Sequence, residues 1–496
     1  MARLSGLVLA LGAGLLLPLG LAPFDFAWAP LLGLGLIFAR IATRPGAVAV
    51  LAEGYVFGLG YAGLGVYWIY HSIADYGGGP LAAVLATGML VAAFALLPMA
   101  ALWLGWWSGA GHVARRALLA LPLAWLLVEW LRSWLLTGAT WLSIGYSQID
   151  TPLAHLAPLL GVYGPGLALA LLAGALAWWL PRPRPVRLAL PLAAAAGLLL
   201  VASLLERDWT RPVDAPVSVA MLQGNISQDR KWDPDARPEI LAEYLRLSRA
   251  AFGDDLIVWP ETALPVYYHQ AANWLEQLAG QAAAAGSELV LGAPAASGAA
   301  RYNAVAVPGA TPQFYYKRHL VPFGEYVPLR GIAGGVLDFV GTPLGDFDAG
   351  RRATPLQAAG QALGVSICYE VTFGAEVADA LPAARLLLNV SNDAWFGAST
   401  APWQHLQMAR MRALETGRAM IRATNTGVSA LIDARGRVQV SGPLFERAVV
   451  RGSVQPRAGA TPYVRWRDWP MALMALAGML GLLAWRWREA GRHRRG

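Results

Sequence analysis

Long apolar runs and one extended polar region divide the chain. A helix needs about 20 apolar residues to cross a hydrocarbon layer of roughly 30 Å. Eight runs reach or approach this length: Leu4–Leu21, Phe26–Ala39, Ala47–Ile69, Leu81–Trp107, Ala117–Leu136, Gly164–Leu180, Leu188–Leu205 and Trp469–Trp487. The pattern predicts a multi-pass α-helical membrane bundle of eight spans.

The polar region, residues 207–468, has a different periodicity. Short β-branched runs such as Val217–Leu222 and Leu386–Val390 alternate with helical stretches such as Ala271–Gly286 and Pro402–Arg422. Because strands alternating with helices are typical of α/β folds, the region predicts one α/β domain. The predicted organisation is therefore a seven-span region at 1–206, this domain at 207–468, and an eighth span with a basic tail at 469–496.

Arginines in the connections between spans predict the orientation of the chain. They fall on alternate sides of the predicted bundle, at Arg3, Arg40, Arg44, Arg115, Arg116, Arg182, Arg184, Arg187 and five positions after the eighth span. Since basic residues favour the cytoplasmic side of a membrane, residues 207–468 are expected to face outward, into the periplasm of a Gram-negative cell.

Composition supports a membrane protein and argues against two other classes. Hydrophobic residues make up 56% and charged residues 14% of the 496 residues, against about 25% charged in soluble domains. The formal net charge is +8. All of this excess lies in residues 1–205 and 469–496, which together contain 14 basic and 6 acidic residues. A folded basic surface for nucleic acid is therefore not indicated, and the apolar content excludes intrinsic disorder.

Three charged residues interrupt the predicted spans. Glu129 and Arg132 lie at i, i+3 spacing, which places them on one face of a helix. A structural ion pair and a functional site are both compatible with this pattern, because charges within a membrane are costly unless paired or hydrated. Glu53 has no partner nearby in sequence, and its role stays open at this stage.

Candidate chemistry is concentrated in three segments of the α/β region. They are Ile257–Pro265 with Glu261 at the end of a strand, Tyr315–Pro328 with Lys317, and Gly364–Glu370 with Cys368 between a strand and a helix. The Pro- and Gly-rich stretch Val321–Pro343 is predicted to be a long loop, where binding and catalysis are often found. A nucleophile at a strand-to-helix turn is exposed and lies near backbone N–H groups that bind an oxyanion.

Each of these residues alone has an ordinary structural explanation. A single cysteine is most often a small core residue, and lysines and loop glutamates are usually solvated. The composition makes Lys317 unusual, because the chain has 37 arginines and only two lysines, Lys231 and Lys317. Since arginine and lysine are not interchangeable at a site, this use of lysine favours a specific role.

Together, the three segments resemble the Glu-Lys-Cys triad of the nitrilase superfamily. The motifs V-W-P-E-T-A-L-P, Y-Y-K-R-H-L-V-P-F-G-E-Y-V-P, S-I-C-Y-E, S-N-D-A-W-F-G (Ser391–Gly397) and the stretch Arg422–Gly427 resemble in particular its membrane branch, the apolipoprotein N-acyltransferases. The resemblance covers nearly the whole chain. It implies an αββα sandwich between the seventh and eighth spans, and a location in the bacterial inner membrane with the catalytic domain in the periplasm.

The resemblance also implies a mechanism. Cys368 is expected to be the nucleophile, Glu261 the general base, and Lys317 the stabiliser of the oxyanion together with the backbone N–H of Tyr369. A cation beside the cysteine is expected to lower the thiol pKa. The acyl donor would be a phospholipid, typically phosphatidylethanolamine, and the acceptor the α-amino group of an S-diacylglyceryl-cysteine on an apolipoprotein.

Four further residues are implied by the same resemblance. Glu325 and Glu370 are expected to support the triad electrostatically, Tyr369 to serve at the oxyanion site, and Trp232 either to bind substrate or simply to pack. The ping-pong scheme requires no metal or cofactor. His269, His319 and His405 lack the spacing of metal ligands and are interpreted as structural or surface residues, and the enzyme is assumed to be a monomer.

Two other functions remain open at this stage. A membrane-tethered amidase or nitrilase would use the same triad on C–N bonds, with water as the acceptor and free acid and ammonia as products. A transporter or scaffold with an inert triad is the alternative without catalysis, but transporters usually carry more polar groups within their spans. Replacing Cys368 would stop an acyltransferase and leave a transporter working.

Overall fold

A computed structural model describes residues 2–76, 78–181, 185–326 and 347–493. The described chain forms two compact units, one of residues 1–67, 84–207 and 466–496, and the other of residues 68–83 and 208–465. The helices are α1 (Ala2–Leu16), α2 (Ala29–Ala42), α3 (Ala47–Gly65), α4 (Ile69–Ala74), α5 (Gly79–Ser108), α6 (Val113–Arg115), α7 (Leu121–Arg132), α8 (Ala157–Leu160), α9 (Tyr163–Trp179), α10 (Pro185–Leu204), α11 (Gln228–Lys231), α12 (Arg237–Ala250), α13 (Ala272–Ala284), α14 (Gly374–Val377), α15 (Ala401–Thr416), α16 (Pro462–Trp466) and α17 (Trp469–His493).

The first unit is helical and strongly apolar. Among the residues that the structure describes, three helical stretches are long and apolar enough to cross a membrane on length and composition, namely Ala47–Gly65, Gly79–Ser108 and Trp469–Gly491. Shorter apolar helical stretches occupy Leu4–Gly20, Ala29–Ala42, Tyr163–Trp179 and Pro191–Leu204. Helix α1 packs against α3, and a Cβ on Gly60 would lie 2.6 Å from the Leu11 carbonyl oxygen. Small residues thus allow close helix packing, as is usual where lipid replaces water around a bundle.

Glu53 has two arginine partners. Its buried carboxylate accepts a hydrogen bond from Arg40 Nη2 at 3.1 Å and pairs with Arg44 as well. Arg40 lies in the last turn of α2 and Arg44 in the connection to α3, so the pairing neutralises a carboxylate within an apolar helix. Glu53 therefore has a structural role that its surroundings in sequence did not reveal.

Glu129 and Arg132 form a buried ion pair, with Arg132 Nη2 3.8 Å from Glu129 Oε1. The carboxylate also accepts a hydrogen bond from the N–H of Ile144 at 3.0 Å, and the guanidinium donates to Ser143 Oγ at 3.2 Å. The pair thereby holds the turn at residues 143–144 against α7.

The second unit contains two six-stranded sheets. The strands are β1 (Thr210–Pro212), β2 (Val217–Gln223), β3 (Leu256–Val258), β4 (Glu288–Ser297), β5 (Ala300–Val307), β6 (Gln313–Tyr316), β7 (Leu356–Ala358), β8 (Gln361–Ile367), β9 (Leu386–Ser391), β10 (Met420–Thr424), β11 (Ala430–Ile432), β12 (Val438–Ser441), β13 (Ala448–Val454) and β14 (Arg457–Gly459). One sheet has the order β13-β2-β3-β4-β5-β6, and the other β12-β11-β10-β9-β8-β7. Strands β1 and β14 pair with each other in a separate two-stranded antiparallel sheet. In each sheet the central strands, β2–β3–β4 and β8–β9–β10, run parallel.

Alternation along the strands builds the core of this unit. On β2, Val219 and Met221 contribute to a hydrophobic cluster that contains residues of both sheets. Ala220 and Leu222 point the other way, into a cluster with α12 and α13. Helix α15 covers the corresponding face of the second sheet. The central strands are buried on both faces, which explains their nearly continuous apolar sequences.

The helix predicted at Pro402–Arg422 is too long. Helix α15 ends at Thr416, because Gly417 takes a left-handed conformation with φ +61°, which glycine adopts without steric cost. The chain then enters β10, which pairs in parallel with β9. The loop predicted at Val321–Pro343 falls mostly on residues 327–346, outside the described residues.

The segment Trp68–Ala83, which connects α3 and α5 along the chain, belongs to the second unit. Ser72 Oγ donates to the carbonyl of Trp395 at 2.7 Å, and Tyr76 Oη donates to the carbonyl of Ala394 at 3.0 Å. The rings of Trp68 and Phe396 lie 4.8 Å apart. A connection between two apolar helices therefore braces the turn that follows β9.

Candidate active site

The three predicted catalytic residues follow the carboxyl ends of three strands. Glu261 follows β3, Lys317 follows β6, and Cys368 follows β8. Thr262 and Cys368 have positive φ values of 45° and 50°, which are uncommon for residues other than glycine and are often found at functional sites. The chain thus turns sharply beside both the carboxylate and the thiol.

The Glu261 carboxylate is buried, and each of its two oxygens accepts a hydrogen bond. Oε1 accepts a hydrogen bond from Asn303 Nδ2 at 2.7 Å, and Oε2 accepts one from the N–H of Asn392 at 2.8 Å. Lys317 Nζ lies 3.6 Å from Oε1. These contacts fix the orientation of the carboxylate and satisfy a charge that would otherwise be costly to bury.

Lys317 lies between two carboxylates. Its buried ammonium donates to Glu325 Oε1 at 2.8 Å and faces Glu261. Burial acts to lower the pKa of Lys317, but Glu325 and Glu261 outweigh it and raise the pKa above the ordinary lysine value. The residue is therefore a permanent cation, as stabilisation of an oxyanion requires.

Cys368 is a neutral thiol in this environment. Burial raises its pKa, Glu261 raises it further, and Lys317 opposes both effects without overcoming them. The neighbouring cation does act to lower the thiol pKa, as expected, but desolvation of the thiolate dominates and the net shift is upward. The thiol needs a base to become a nucleophile, and Glu261 is the carboxylate that acts most strongly on it.

Glu370 joins the segments that carry Lys317 and Cys368. One oxygen accepts hydrogen bonds from the N–H groups of Arg318 and His319 at 2.6 and 3.1 Å. The other accepts from the N–H of Ile367 at 2.6 Å. Burial raises the pKa of this carboxyl, and the backbone donors oppose the shift. Glu370 thus links Arg318 and His319, which follow Lys317, to Ile367, which precedes Cys368.

Glu325 orients Lys317 and is itself held by the backbone. Its Oε2 accepts from the N–H of Val321 at 2.8 Å, and its Oε1 accepts from Asn303 Nδ2 at 3.0 Å. Asn303 on β5 therefore bridges the carboxylates of Glu261 and Glu325. Sequence inspection missed Asn303, because an asparagine within a strand has no local feature that indicates a site.

A second buried network lies behind the cysteine, and sequence inspection missed this too. His405 contacts Asp393 Oδ1 at 3.0 Å and the carbonyl oxygen of Cys368 at 3.1 Å. Asp393 also pairs with Arg422 at 2.9 Å and accepts a hydrogen bond from Ser391. The Arg422 and His405 contacts outweigh burial and lower the pKa of Asp393 to about 2. The network holds the backbone of the nucleophile turn in place.

The remaining predicted residues differ in burial and in their contacts. The Tyr369 ring lies 5.0 Å from that of Phe373, in an edge-to-face arrangement. Trp232 directly follows α11 and is half-buried, and its indole nitrogen has no hydrogen-bond partner among the described residues. His319 pairs with Glu376 at 2.7 Å, and His269 is exposed.

Comparison with known proteins gives matches to both parts of the chain. Residues 218–463 match the carbon-nitrogen hydrolase family. Residues 13–175 match the apolipoprotein N-acyltransferase N-terminal domain. The second unit therefore contains a nitrilase-like carbon-nitrogen hydrolase domain.

Relatives of nearly the same length carry one name. An apolipoprotein N-acyltransferase of Methylococcus capsulatus is 47% identical over 498 residues, covering 99% of this chain and 98% of that protein. One of Azotobacter vinelandii is 44% identical and covers 97% of this chain and 94% of that protein. A crystal structure of a nitrilase-superfamily protein of Saccharomyces cerevisiae aligns with a TM-score of 0.38 and 18% identity, over 49% of this chain and 92% of that one.

Proposed function

The chain belongs to the apolipoprotein N-acyltransferase family, and from this we propose that Cys368, Glu261 and Lys317 carry out its acyl transfer. The enzyme is an acyltransferase that N-acylates lipoproteins. The observation that carries the proposal is the buried group of Glu261, Lys317 and Glu325, in which Lys317 lies 3.6 Å from Glu261 and both act electrostatically on the Cys368 thiol.

In the first half-reaction the thiol attacks the ester carbonyl of the acyl donor. Glu261 takes the proton of Cys368 as the S–C bond forms, and the negative charge develops on the carbonyl oxygen. Lys317 and the N–H of Tyr369 stabilise this oxyanion. The ester C–O bond then breaks, the leaving alkoxide takes the proton from Glu261, and a thioester remains on Cys368.

In the second half-reaction the α-amino group of the acceptor attacks the thioester. Glu261 accepts the amine proton while the N–C bond forms, and the same cation stabilises the second oxyanion. The C–S bond breaks, and the proton returns from Glu261 to the sulfur of Cys368. The products are an amide and the free enzyme, so the scheme is ping-pong and balances without a further reactant.

The finer features of the enzyme follow as parts of this proposal. The donor is a membrane phospholipid such as phosphatidylethanolamine, and the acceptor is an S-diacylglyceryl-cysteine at the amino terminus of an apolipoprotein. The chain crosses the bacterial inner membrane eight times, with an αββα catalytic domain in the periplasm. Support comes from the apolar helices, from the placement of arginines, and from the need of two lipid-anchored substrates to meet at a membrane. A monomer suffices, because every proposed site residue lies in one chain.

The test uses the purified full-length enzyme and a phospholipid with a radiolabelled acyl chain. We expect label on the wild-type protein that hydroxylamine releases, lysophospholipid in equal amount, and transfer of the label to an added diacylglyceryl lipopeptide. Cys368→Ala should remain unlabelled. Wild-type enzyme that takes no label, or that releases ammonia from amides without acyl transfer, would contradict the proposal and favour the hydrolase.

A further inference from the structure

Both lysines of the chain lie at the candidate active site. Lys317 belongs to the proposed triad, whereas Lys231 has had no role so far. Lys231 is 2% exposed, and its ammonium donates to the backbone carbonyl of Glu261 at 3.3 Å and to Thr262 Oγ1 at 3.1 Å. These acceptors form the turn at which the chain takes the positive φ of Thr262.

The helix that carries Lys231 contacts the support of Glu261 a second time. Gln228 Oε1, one turn earlier on α11, accepts a hydrogen bond from Asn392 Nδ2 at 2.7 Å. The backbone N–H of Asn392 in turn donates to the Glu261 carboxylate. Helix α11 therefore restrains Glu261 in two ways. Lys231 binds the backbone carbonyl of Glu261, and Gln228 binds Asn392, whose N–H binds the Glu261 carboxylate.

The charge of Lys231 faces the reacting groups. Burial lowers its pKa to about 8, while the electrostatic effects of Glu261 and Cys368 act in the opposite direction. The ammonium of Lys317 lies 3.6 Å from Glu261 Oε1. Lys231 is thus a second cation beside the proposed base. The lysine ammonium is a compact point charge with three donors, whereas the guanidinium groups of the 37 arginines in the chain are planar and larger.

We propose that Lys231 is a positioning residue that holds the Glu261–Thr262 turn and, through its positive charge, favours the ionised form of the general base. The inference rests on the proposed role of Glu261. Lys231 contacts neither the substrate carbonyl nor the thiol in this scheme, and its hydrogen bonds go to the Glu261–Thr262 turn.

The test compares Lys231→Met with Arg230→Met in the labelled-phospholipid assay. The first variant removes the buried cation with little change of volume. The second removes an exposed cation from the same helix, where Arg230 pairs with Glu239. We expect Lys231→Met to form the thioester roughly 10- to 100-fold more slowly, as is typical when a buried charged hydrogen-bond partner is lost, and Arg230→Met to match the wild type.

The pH dependence of thioester formation separates the electrostatic role of Lys231 from a general loss of structure in the variant. Loss of the cation disfavours the carboxylate, so the acid limb of thioester formation should move about one pH unit higher in Lys231→Met. Because Lys231 itself loses its proton above about pH 8, the wild-type and Lys231→Met profiles should converge at higher pH. Lys231→Arg, which keeps its charge, should retain the acid limb of the wild type.

Two outcomes would overturn the inference, namely an unshifted acid limb in Lys231→Met or an equal loss of rate at every pH. If Lys231→Met does not fold, Lys231→Gln removes the charge but keeps a hydrogen-bond donor for the two acceptors, and it should shift the acid limb in the same direction; an unshifted limb there would also overturn the inference. Wild-type enzyme that never takes label would instead refute the proposed function.

Discussion

At the residue scale, the site combines a neutral thiol with a permanently charged lysine. Burial and Glu261 keep the Cys368 thiol protonated, whereas Glu325 and Glu261 keep Lys317 charged. Burial of the thiol also limits the access of water, which would protect a thioester from hydrolysis. The cost is that the nucleophile forms only when a base is in place, so reactivity should depend on Glu261 in two opposite ways.

The first prediction concerns alkylation of Cys368 by iodoacetamide. Because the pKa of the thiol is raised, the thiolate fraction should still be increasing at pH 9, and the rate should show no plateau below that pH. Glu261→Gln removes a negative charge that raises the thiol pKa, so its alkylation curve should move to lower pH although acyl transfer is lost. Mass spectrometry of the modified peptide measures both, with Cys368→Ala as the blank. A plateau below pH 8 in the wild type would contradict the assignment.

The second prediction concerns Glu325. Glu325→Gln removes the carboxylate 2.8 Å from Lys317 Nζ. Among the described residues, Glu261 then remains as the acidic partner of the ammonium. The lysine should then pair with the base itself, and thioester formation should fall roughly 100-fold. The matched control is Glu376→Gln, which removes a carboxylate that pairs with His319. Equal rates in the two variants would exclude the proposed role of Glu325.

At the element scale, the site depends on short connections more than on the sheets themselves. The turn Asp393–Phe396 follows β9 and adjoins Asn392, which binds Glu261. Helix α4 and the residues after it contact this turn through Ser72 and Tyr76. A segment that lies between two apolar helices in the chain is therefore part of the support of the general base.

The third prediction tests that support. The double variant Ser72→Ala/Tyr76→Phe removes both hydrogen bonds to the turn and should raise hydrogen exchange of residues 392–397, because local opening becomes easier when backbone acceptors lose their donors. Thioester formation should fall roughly tenfold. Tyr70→Phe, on the same helix, is the control. Unchanged exchange at residues 392–397 would show that the contacts do not restrain the turn.

At the scale of the whole molecule, the two units divide the work of the enzyme. One consists of apolar helices and contains the buried ion pair of Glu129 with Arg132. The other holds every residue of the proposed site. The second unit consists of two stretches of the chain, one after α3 and one after α10. In sequence, each stretch is preceded and followed by helical segments of the first unit.

The fourth prediction concerns orientation. Cys368 is the only cysteine, so Cys368→Ala provides a background without thiols. In that background Gln277→Cys, on an exposed position of α13, should react with a membrane-impermeant maleimide in cells with a permeabilised outer membrane. Thr43→Cys, exposed between α2 and α3, should react only after the inner membrane is opened. The reverse pattern would place the catalytic domain in the cytoplasm.

Local pattern in the sequence was sufficient to predict apolar helices and a separate α/β region. The apolar runs, the α/β periodicity and the three strand-ending motifs were predictable because each depends on residues close together in the chain. Strand candidates such as Val217–Leu222 agree with the structure, whereas β10 was missed because only the left-handed Gly417 separates it from a long helix.

Only the tertiary structure revealed how the site is held together and in which protonation states. Asn303 and Asn392 reach Glu261 from 42 and 131 positions away, because the fold brings together segments from β3 and β5 of one sheet and from β9 of the other. The buried cation Lys231 and the Asp393–His405 pair became visible for the same reason. The neutral thiol follows from burial, which depends on the whole packed domain and has no signature in the motif around Cys368.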